Sequence, residues 1–391
     1  MSDAPPHNGP WPRPAGLDPA AFLADYWQKQ PLLLRQAFPS FQSPLSAEEL
    51  AGLACEEGIE SRLVTGPADG PWQMEPGPFD ESRFTRLPEQ DWTLLVQDVD
   101  KHLPELARIL ESFDFLPRWR LDDLMISYAP PGGSVGPHID AYDVFLLQAS
   151  GTRHWAIDPR PADTRHREDS QLRVLRQFEP REDWELHPGD MLYLPPGVAH
   201  HGIAGPDCMT WSIGFRAPDA AGMISDLAEY VIQSQPEDAR YADPDLSAEE
   251  SGAGIHDRAV ARVRHLLSDL LAMDDEQLGE WFGRFVTEPK PWLRAEARGP
   301  QTEPDPGATT PLVLRSDLLV AWRPCPDGIR LFVDGEAETW PGEAAAVARR
   351  LADRRRICLQ DADLACGDAG RKLIRDWLQR GLLEPWEDEQ Q

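Results

Sequence analysis

Two short stretches, far apart in the chain, constrain its fold more than any other feature: Pro137-His138-Ile139-Asp140 and Pro195-Pro196-Gly197-Val198-Ala199-His200. Each reads as a turn leading into a strand. Side chains alternate along a strand, so His138 and Asp140 project to the same side with one residue between them. Imidazole and carboxylate suit a borderline metal such as Fe(II). A third ligand from the second stretch would place two histidines and one carboxylate on one face of an octahedron. That leaves three positions for a bidentate co-substrate and O2, which is what an oxygenase needs. The chain must therefore return, after a hairpin or two, to lay the second stretch beside the first.

A His-x-Asp pair alone is a weak signal, and a structural histidine is its plain alternative. The surroundings strengthen it. An apolar strand, Leu124 to Tyr128, and the turn-rich Pro131-Gly132-Gly133-Ser134-Val135-Gly136 precede the pair. The second stretch follows Pro188-Gly189-Asp190 and the short apolar strand Met191-Leu192-Tyr193-Leu194. His200 and His201 compete for the third place, and as strand neighbours they face opposite ways, so only one can join the pair. His154 and His187 have no partner at ligand spacing and read as structural. Arg153 opens the strand Arg153 to Ile157, after the strand Asp143 to Gln148 and the turn Ala149-Ser150-Gly151-Thr152. Its planar fork matches a carboxylate, although an ordinary ion-paired arginine would carry the same sequence.

Elsewhere the chain divides by composition. With 391 residues it has room for two or three domains. Residues 1–16 are proline-rich, lack the apolar core of a signal peptide, and read as disordered. Residues 17–218 carry short helices and then the strand-rich barrel. In 219–290 the period changes: Ala259, Val260, Val263, Leu266, Leu267, Leu270 and Leu271 fall three and four apart, an amphipathic helix, and Met223 to Ile232 reads similarly. Such apolar faces cover either a second copy of the chain or the chain's own barrel. Residues 291–310 hold Gly299-Pro300 and Pro304-Asp305-Pro306-Gly307, a linker signature. Residues 311–391 read as strand, strand, helix (Gly342 to Arg355), helix (Ala369 to Arg380) and short strand. Arg349, Arg350, Arg354, Arg355, Arg356, Arg371, Lys372 and Arg375 make this end locally basic. Solvated helix faces explain them better than a nucleic-acid surface does.

A net charge of −29 repels nucleic acid and favours a basic protein partner, though general solubility accounts for it too. Five cysteines without a C-x-x-C suit a reducing cytosol and no zinc module. No apolar run nears the roughly 20 residues that span a bilayer. A soluble, cytoplasmic protein is expected.

The residues Met125-Ile126-Ser127, Gly136 through Phe145, Pro188 through His200 and Ser212-Ile213-Gly214-Phe215-Arg216-Ala217-Pro218 together resemble the bacterial ribosomal oxygenases of the JmjC family, the ribosomal-protein arginine hydroxylase type. Trp27 through Arg35 and Ser61-Arg62-Leu63-Val64 fit that family's N-terminal elements. The resemblance implies an α+β chain: a JmjC/cupin double-stranded β-helix barrel, a helical dimerisation region and a winged-helix-like C-terminal domain. It picks His200 over His201, giving His138, Asp140 and His200 as Fe(II) ligands. It assigns Arg153 to the distal carboxylate of 2-oxoglutarate; Ser127, on the strand before the metal loop, offers a hydroxyl to the same carboxylate, although strand serines are common. It implies a homodimer that consumes 2-oxoglutarate and O2 and hydroxylates the β-carbon of an arginine in a basic large-subunit ribosomal protein. Tyr142 and Asp143 are expected at the pocket mouth, where a guanidinium needs an aromatic face or a carboxylate. Ser134, where the family pattern has glycine, and His201 depart from it. Two rival readings are a histidyl hydroxylase of a ribosomal protein and a cupin sensor joined to a winged-helix DNA reader.

Overall fold

Runs of apolar residues buried on both faces set the first unit. In Val144–Ser150 every residue but the last is buried, and in Cys208–Phe215 all are, as expected of strands covered on both sides. The computed structural model describes residues 11–234, 240–250, 253–290, 293 and 311–386. Its first strands are β1 (Leu32–Leu34), β2 (Ser61–Thr65), β3 (Gln73–Pro76), β4 (Trp92–Val96), β5 (Leu121–Ala129), β6 (His138–Ile139), β7 (Val144–Ser150), β8 (Arg153–Asp158), β9 (Glu182–Leu186), β10 (Met191–Leu194), β11 (Ala199–Ala204) and β12 (Cys208–Phe215). One sheet runs β1-β10-β7-β12-β5-β4-β2-β3 and a second runs β6-β11-β8-β9. From β5 onward the chain passes back and forth between the two sheets. That is the double-stranded β-helix the family resemblance implies.

The larger sheet is closed on its outer face by the N-terminal segment. Phe22, Phe113, Phe145, Tyr193, Trp211 and Phe215 are almost wholly buried together. The Phe145 ring lies 4.8 Å from both Phe113 and Tyr193. Each such ring removed from water contributes on the order of 1.5–3 kcal/mol. Residues 11–16, expected to be disordered, are described and ordered: Trp11 packs on Phe41 at 5.3 Å and Arg13 pairs with Asp114 at 2.8 Å. The apolar ring outweighs the prolines around it. Residues 1–10, nearly all of the expected linker (291–292 and 294–310), and residues 235–239 and 251–252 lie outside the described residues.

The Pro188-Gly189-Asp190 turn has a structural task. Gly189 takes φ +88°, and Asp190 accepts from the backbone N–H of Gln36 (2.9 Å) and His187 (3.1 Å) while pairing with Arg35 at 2.6 Å. These bonds fix β10 against β1 and so set the approach of the chain to β11.

Three helices follow the barrel: Ala220–Ser234, Asp257–Leu270 and Asp275–Thr287. The third starts at a capping box, Asp274 with Gln277, and packs on strands of the C-terminal unit. Gly283 lets it approach closely, since a β-carbon there would lie 2.3 Å from the Phe332 ring. The sequence division at 290 therefore parts this helix from the sheet it covers.

The C-terminal unit contains β13 (Pro311–Leu314), β14 (Val320–Cys325), β15 (Gly328–Val333), β16 (Glu336–Pro341), β17 (Arg356–Cys358) and β18 (Leu383–Pro385), in sheets β14-β15-β16 and β17-β13-β18. Helices Ala344–Arg354 and Leu359–Gln379 pack Val347, Leu351, Leu373, Ile374 and Trp377 into its core. The first three strands after β13 form a meander that the sequence reading compressed, and the last helix begins well before Ala369. The basic residues divide: Arg349, Arg350 and Arg354 line one surface hollow, and others are held elsewhere. Arg356 pairs with Glu111 of the barrel unit, Arg349 stacks on Trp322 at 4.4 Å, and Arg355 turns inward. Among the described residues no helix is long and apolar enough to cross a membrane.

Candidate metal centre

β6 and β11 are antiparallel neighbours with His138 directly opposite His200, so both side chains share a face. Asp140 follows on the same side, and its carbonyl accepts from Gly197 N at 2.9 Å. Gly197 sits at φ +86°, which a residue with a side chain rarely adopts. Each histidine places Nδ1 on a backbone carbonyl, His138 on Gly136 at 2.9 Å and His200 on Val198 at 3.0 Å. A carbonyl only accepts, so Nδ1 carries the proton and Nε2 keeps its lone pair. Both Nε2 atoms turn to Asp140, at 3.9 Å from Oδ1 and 3.5 Å from Oδ2. The three donor atoms lie within 4.8 Å of one another. Burial, with the second imidazole beside it, pushes His200 down to about 4, so it is neutral and able to ligate at neutral pH. Two converging neutral imidazoles and a carboxylate fit a divalent first-row metal.

His201 turns the other way. Its Nε2 lies 2.9 Å from Ser134 Oγ and its ring meets the edge of Phe178. The structure thus brings His200 to the pair and leaves His201 out. His154 pairs with Asp183, and His187 lies 3.3 Å from Glu185.

β8 lies on the other edge of β11, with Arg153 opposite Ala204. The Arg153 side chain is buried. Its Nε donates to Cys208 Sγ at 3.3 Å, its guanidinium stands 5.5 Å from the Trp155 ring, and Nη2 has no hydrogen-bond partner. No carboxylate among the described residues pairs with it. A buried charge left this way costs several kcal/mol, and an incoming carboxylate would remove the cost. Trp155 links the two halves of the site, since its ring also lies 5.8 Å from His200.

Around Arg153 runs a polar wall that the sequence reading missed apart from Ser127. Gln148 Nε2 donates to Cys208 Sγ at 3.4 Å, Thr210 Oγ1 donates to Gln148 Oε1 at 3.3 Å, and Ser127 Oγ reaches the Thr210 carbonyl at 3.5 Å. The signal was present: Gln148 and Thr210 are hydrogen-bonding residues inside otherwise apolar barrel strands, where polar groups need a reason.

Tyr142 and Asp143, expected together at the mouth, part company. Tyr142 is 42% exposed, and its phenol is raised by burial and by the charge of Asp140. Asp143 is fully buried and corrects the expectation. It accepts from Tyr193 OH at 2.6 Å and Gln28 Nε2 at 2.9 Å, and pairs with Arg120 at 3.0 Å. Tyr142 lies in a bend before β7 and turns to solvent, while Asp143, next to the strand, points into the fold.

Comparison with known proteins agrees with this geometry. Residues 108–223 match the JmjC domain and residues 267–384 the ROXA-like winged helix. The chain is 39% identical over 284 residues to the ribosomal protein uL16 3-hydroxylase of Escherichia coli K12, covering 73% of this chain and 75% of that protein. The chain belongs to the JmjC-type ribosomal oxygenase family. As a ribosomal oxygenase it is a 2-oxoglutarate-dependent dioxygenase, in a family that uses Fe(II), 2-oxoglutarate and O2. The structure of Escherichia coli YcfD in complex with cobalt and 2-oxoglutarate superposes on this oxygenase with a TM-score of 0.79 and 32% identity, covering 95% of this chain and 99% of that one. Mouse ribosomal oxygenase 2 is 27% identical over 201 residues, which span 46% of this chain and 40% of that protein.

Proposed function

We propose that His138, Asp140 and His200 hold Fe(II), that Arg153 with Ser127 holds the distal carboxylate of 2-oxoglutarate, and that the enzyme hydroxylates the β-carbon of an arginine in a large-subunit ribosomal protein. One observation carries the reading. Three donor atoms converge within 4.8 Å in the same barrel as a buried guanidinium that lacks a carboxylate. When bound, metal and co-substrate supply the oxidising power, consuming O2, releasing succinate and CO2, and inserting one oxygen into a C–H bond. The protein's part is binding and order. The Gly136 and Val198 carbonyls hold both imidazoles with Nε2 forward, Arg153 fixes the co-substrate, and the apolar barrel keeps water away.

The substrate class rests on the E. coli relative, whose name is a uL16 3-hydroxylase, and on charge: a body of net −29 attracts a basic ribosomal protein. A ribosomal substrate supports a cytoplasmic location for the enzyme. Exposed apolar side chains on the two helices after the barrel, among them Ile224 (68%), Ile232 (72%) and Leu267 (52%), support the homodimer. Arg355, turned inward, and Arg356, paired with Glu111, are withdrawn from any surface that could meet duplex DNA. The test offers arginine-containing and histidine-containing large-subunit ribosomal peptides to the purified enzyme with Fe(II) and 2-oxoglutarate. A gain of one oxygen on the arginine peptide is the expected result. A gain on histidine alone would make it a histidyl hydroxylase, and no gain on either would end the substrate proposal.

A further inference from the structure

A cavity of about 320 Å³ lies away from the metal centre, where the barrel unit meets the C-terminal unit. Its walls are apolar over much of their area, with Leu110, Trp119 and Leu121 from the barrel side and Val286, Leu314 and Val320 opposite. Four arginines and Lys101 line it, with the carboxylates Asp100, Glu111, Asp122 and Glu384; of these cations Arg118, from the segment before β5, and Arg355, from the end of helix Ala344–Arg354, have no carboxylate partner among the described residues. The Arg118 side chain forms no hydrogen bond or ion pair with a described residue, its backbone carbonyl alone accepting from Leu121 N. Arg355 donates only to the carbonyls of Leu318 and Arg315.

The carboxylates whose fields reach these two guanidiniums are Glu111, Asp114 and Asp353 for Arg118, and Asp100, Asp317 and Glu111 for Arg355. Each is already held by another group. Glu111 pairs with Arg356, Asp114 with Arg13, Asp100 with Lys101 and Asp317 with Arg315. Asp353 accepts from Trp322 Nε1 at 2.8 Å and faces Arg349 at 3.6 Å. Burial, and then the neighbouring charge of Arg118, brings Arg355 down to about 10. The cavity's other carboxylates face other cations, Asp122 facing Lys290 and Arg216 and Glu384 facing Arg315, which leaves two half-buried guanidiniums facing the hollow. A cavity of this size, apolar with a few converging polar groups, is the ordinary form of a small-molecule site.

We propose that this cavity is a second binding site, for a small organic anion whose phosphate or carboxylate head sits between Arg118 and Arg355 and whose apolar body lies on Trp119 and the aliphatic wall. Its occupant bridges the two units. Guanidinium pairs recognise oxyanions by parallel N–H bonds, and bound anion offsets the repulsion between the two arginines.

The test uses the full chain loaded with Co(II) and saturating 2-oxoglutarate, so that the metal centre and Arg153 are filled. Calorimetry measures binding of 1-naphthyl phosphate and 1-naphthoate, with 1-naphthol as the neutral control. One saturable site for at least one of the two anions, weak or no binding of naphthol, and at least a tenfold loss of affinity in Arg118→Met are expected. Arg118→Met should also melt no lower than the parent protein without ligand, because an unpaired cation is replaced by an apolar side chain. Arg355→Met should lose binding as well, but it removes two bonds to carbonyls, so Arg118→Met decides the case. The proposal is overturned by absence of saturable anion binding, by naphthol binding as tightly as its phosphate, by undiminished binding in Arg118→Met, or by a clear fall in the melting temperature of that variant.

Discussion

His201 Nε2 lies 2.9 Å from Ser134 Oγ, so the two residues that depart from the family's sequence pattern touch each other. Ser134 Oγ also accepts from Gly136 N at 3.0 Å, and the Gly136 carbonyl takes the Nδ1 proton of His138 at 2.9 Å. A chain of three hydrogen bonds therefore runs from a non-ligand histidine to a metal ligand. Partners behind a ligand hold its orientation. Ser134→Ala should weaken Co(II) binding roughly tenfold, at the low end of such effects, with the fold retained. Calorimetric titration with Co(II) checks this, and unchanged affinity would show that the loop holds His138 without Ser134.

Arg153→Met should raise the Michaelis constant for 2-oxoglutarate on the order of 100-fold, as about 2–5 kcal/mol is lost with a desolvated, hydrogen-bonded charge pair. The ligand-free variant should melt no lower than the parent, since Nη2 has no partner to lose. Steady-state kinetics and a thermal melt read the two halves separately. A variant with ordinary co-substrate kinetics would place the anchor elsewhere.

Asp143→Ala should act on stability, not on substrate choice. It strips Arg120, Tyr193 and Gln28 of a shared buried acceptor, and breaking a buried pair costs about 3–5 kcal/mol. Urea unfolding should show that loss. A normally stable variant with altered peptide preference would return Asp143 to the pocket mouth.

The contrast between Asp143 and the triad shows what a sequence can and cannot reveal. The His138–Asp140 pair was legible because strand alternation and Pro/Gly turns are local; alternation left His200 and His201 open, and the family resemblance chose His200. Tyr142 and Asp143 lie between strands, where alternation gives no direction, and Arg120 and Gln28, which meet Asp143, come from distant parts of the chain. The same limit hid the polar wall around Arg153, the packing of helix Asp275–Thr287 on β14–β16, and the cavity between Arg118 and Arg355. Trp11 shows the opposite error: a proline-rich composition concealed one ring that finds Phe38 and Phe41.

Leu267→Glu should give monomers. Leu267 is 52% exposed, with Val263 and Leu271 on the same helical face at 44% and 56%, and a charge there opposes burial against a second copy. Light scattering at micromolar concentration should report a dimer for the parent and a monomer for the variant. A monomeric parent would remove the dimer from the account.

The central claim is that the triad and Arg153 form the centre of a ribosomal-protein hydroxylase. Intact-mass spectrometry of large-subunit ribosomal proteins tests it most directly, in cells carrying the parent gene or only the Asp140→Ala variant. The account predicts one protein heavier by one oxygen, on an arginine, with the parent gene and the unmodified mass with the variant. Identical masses in the two strains, or the added oxygen persisting with Asp140→Ala, would contradict it.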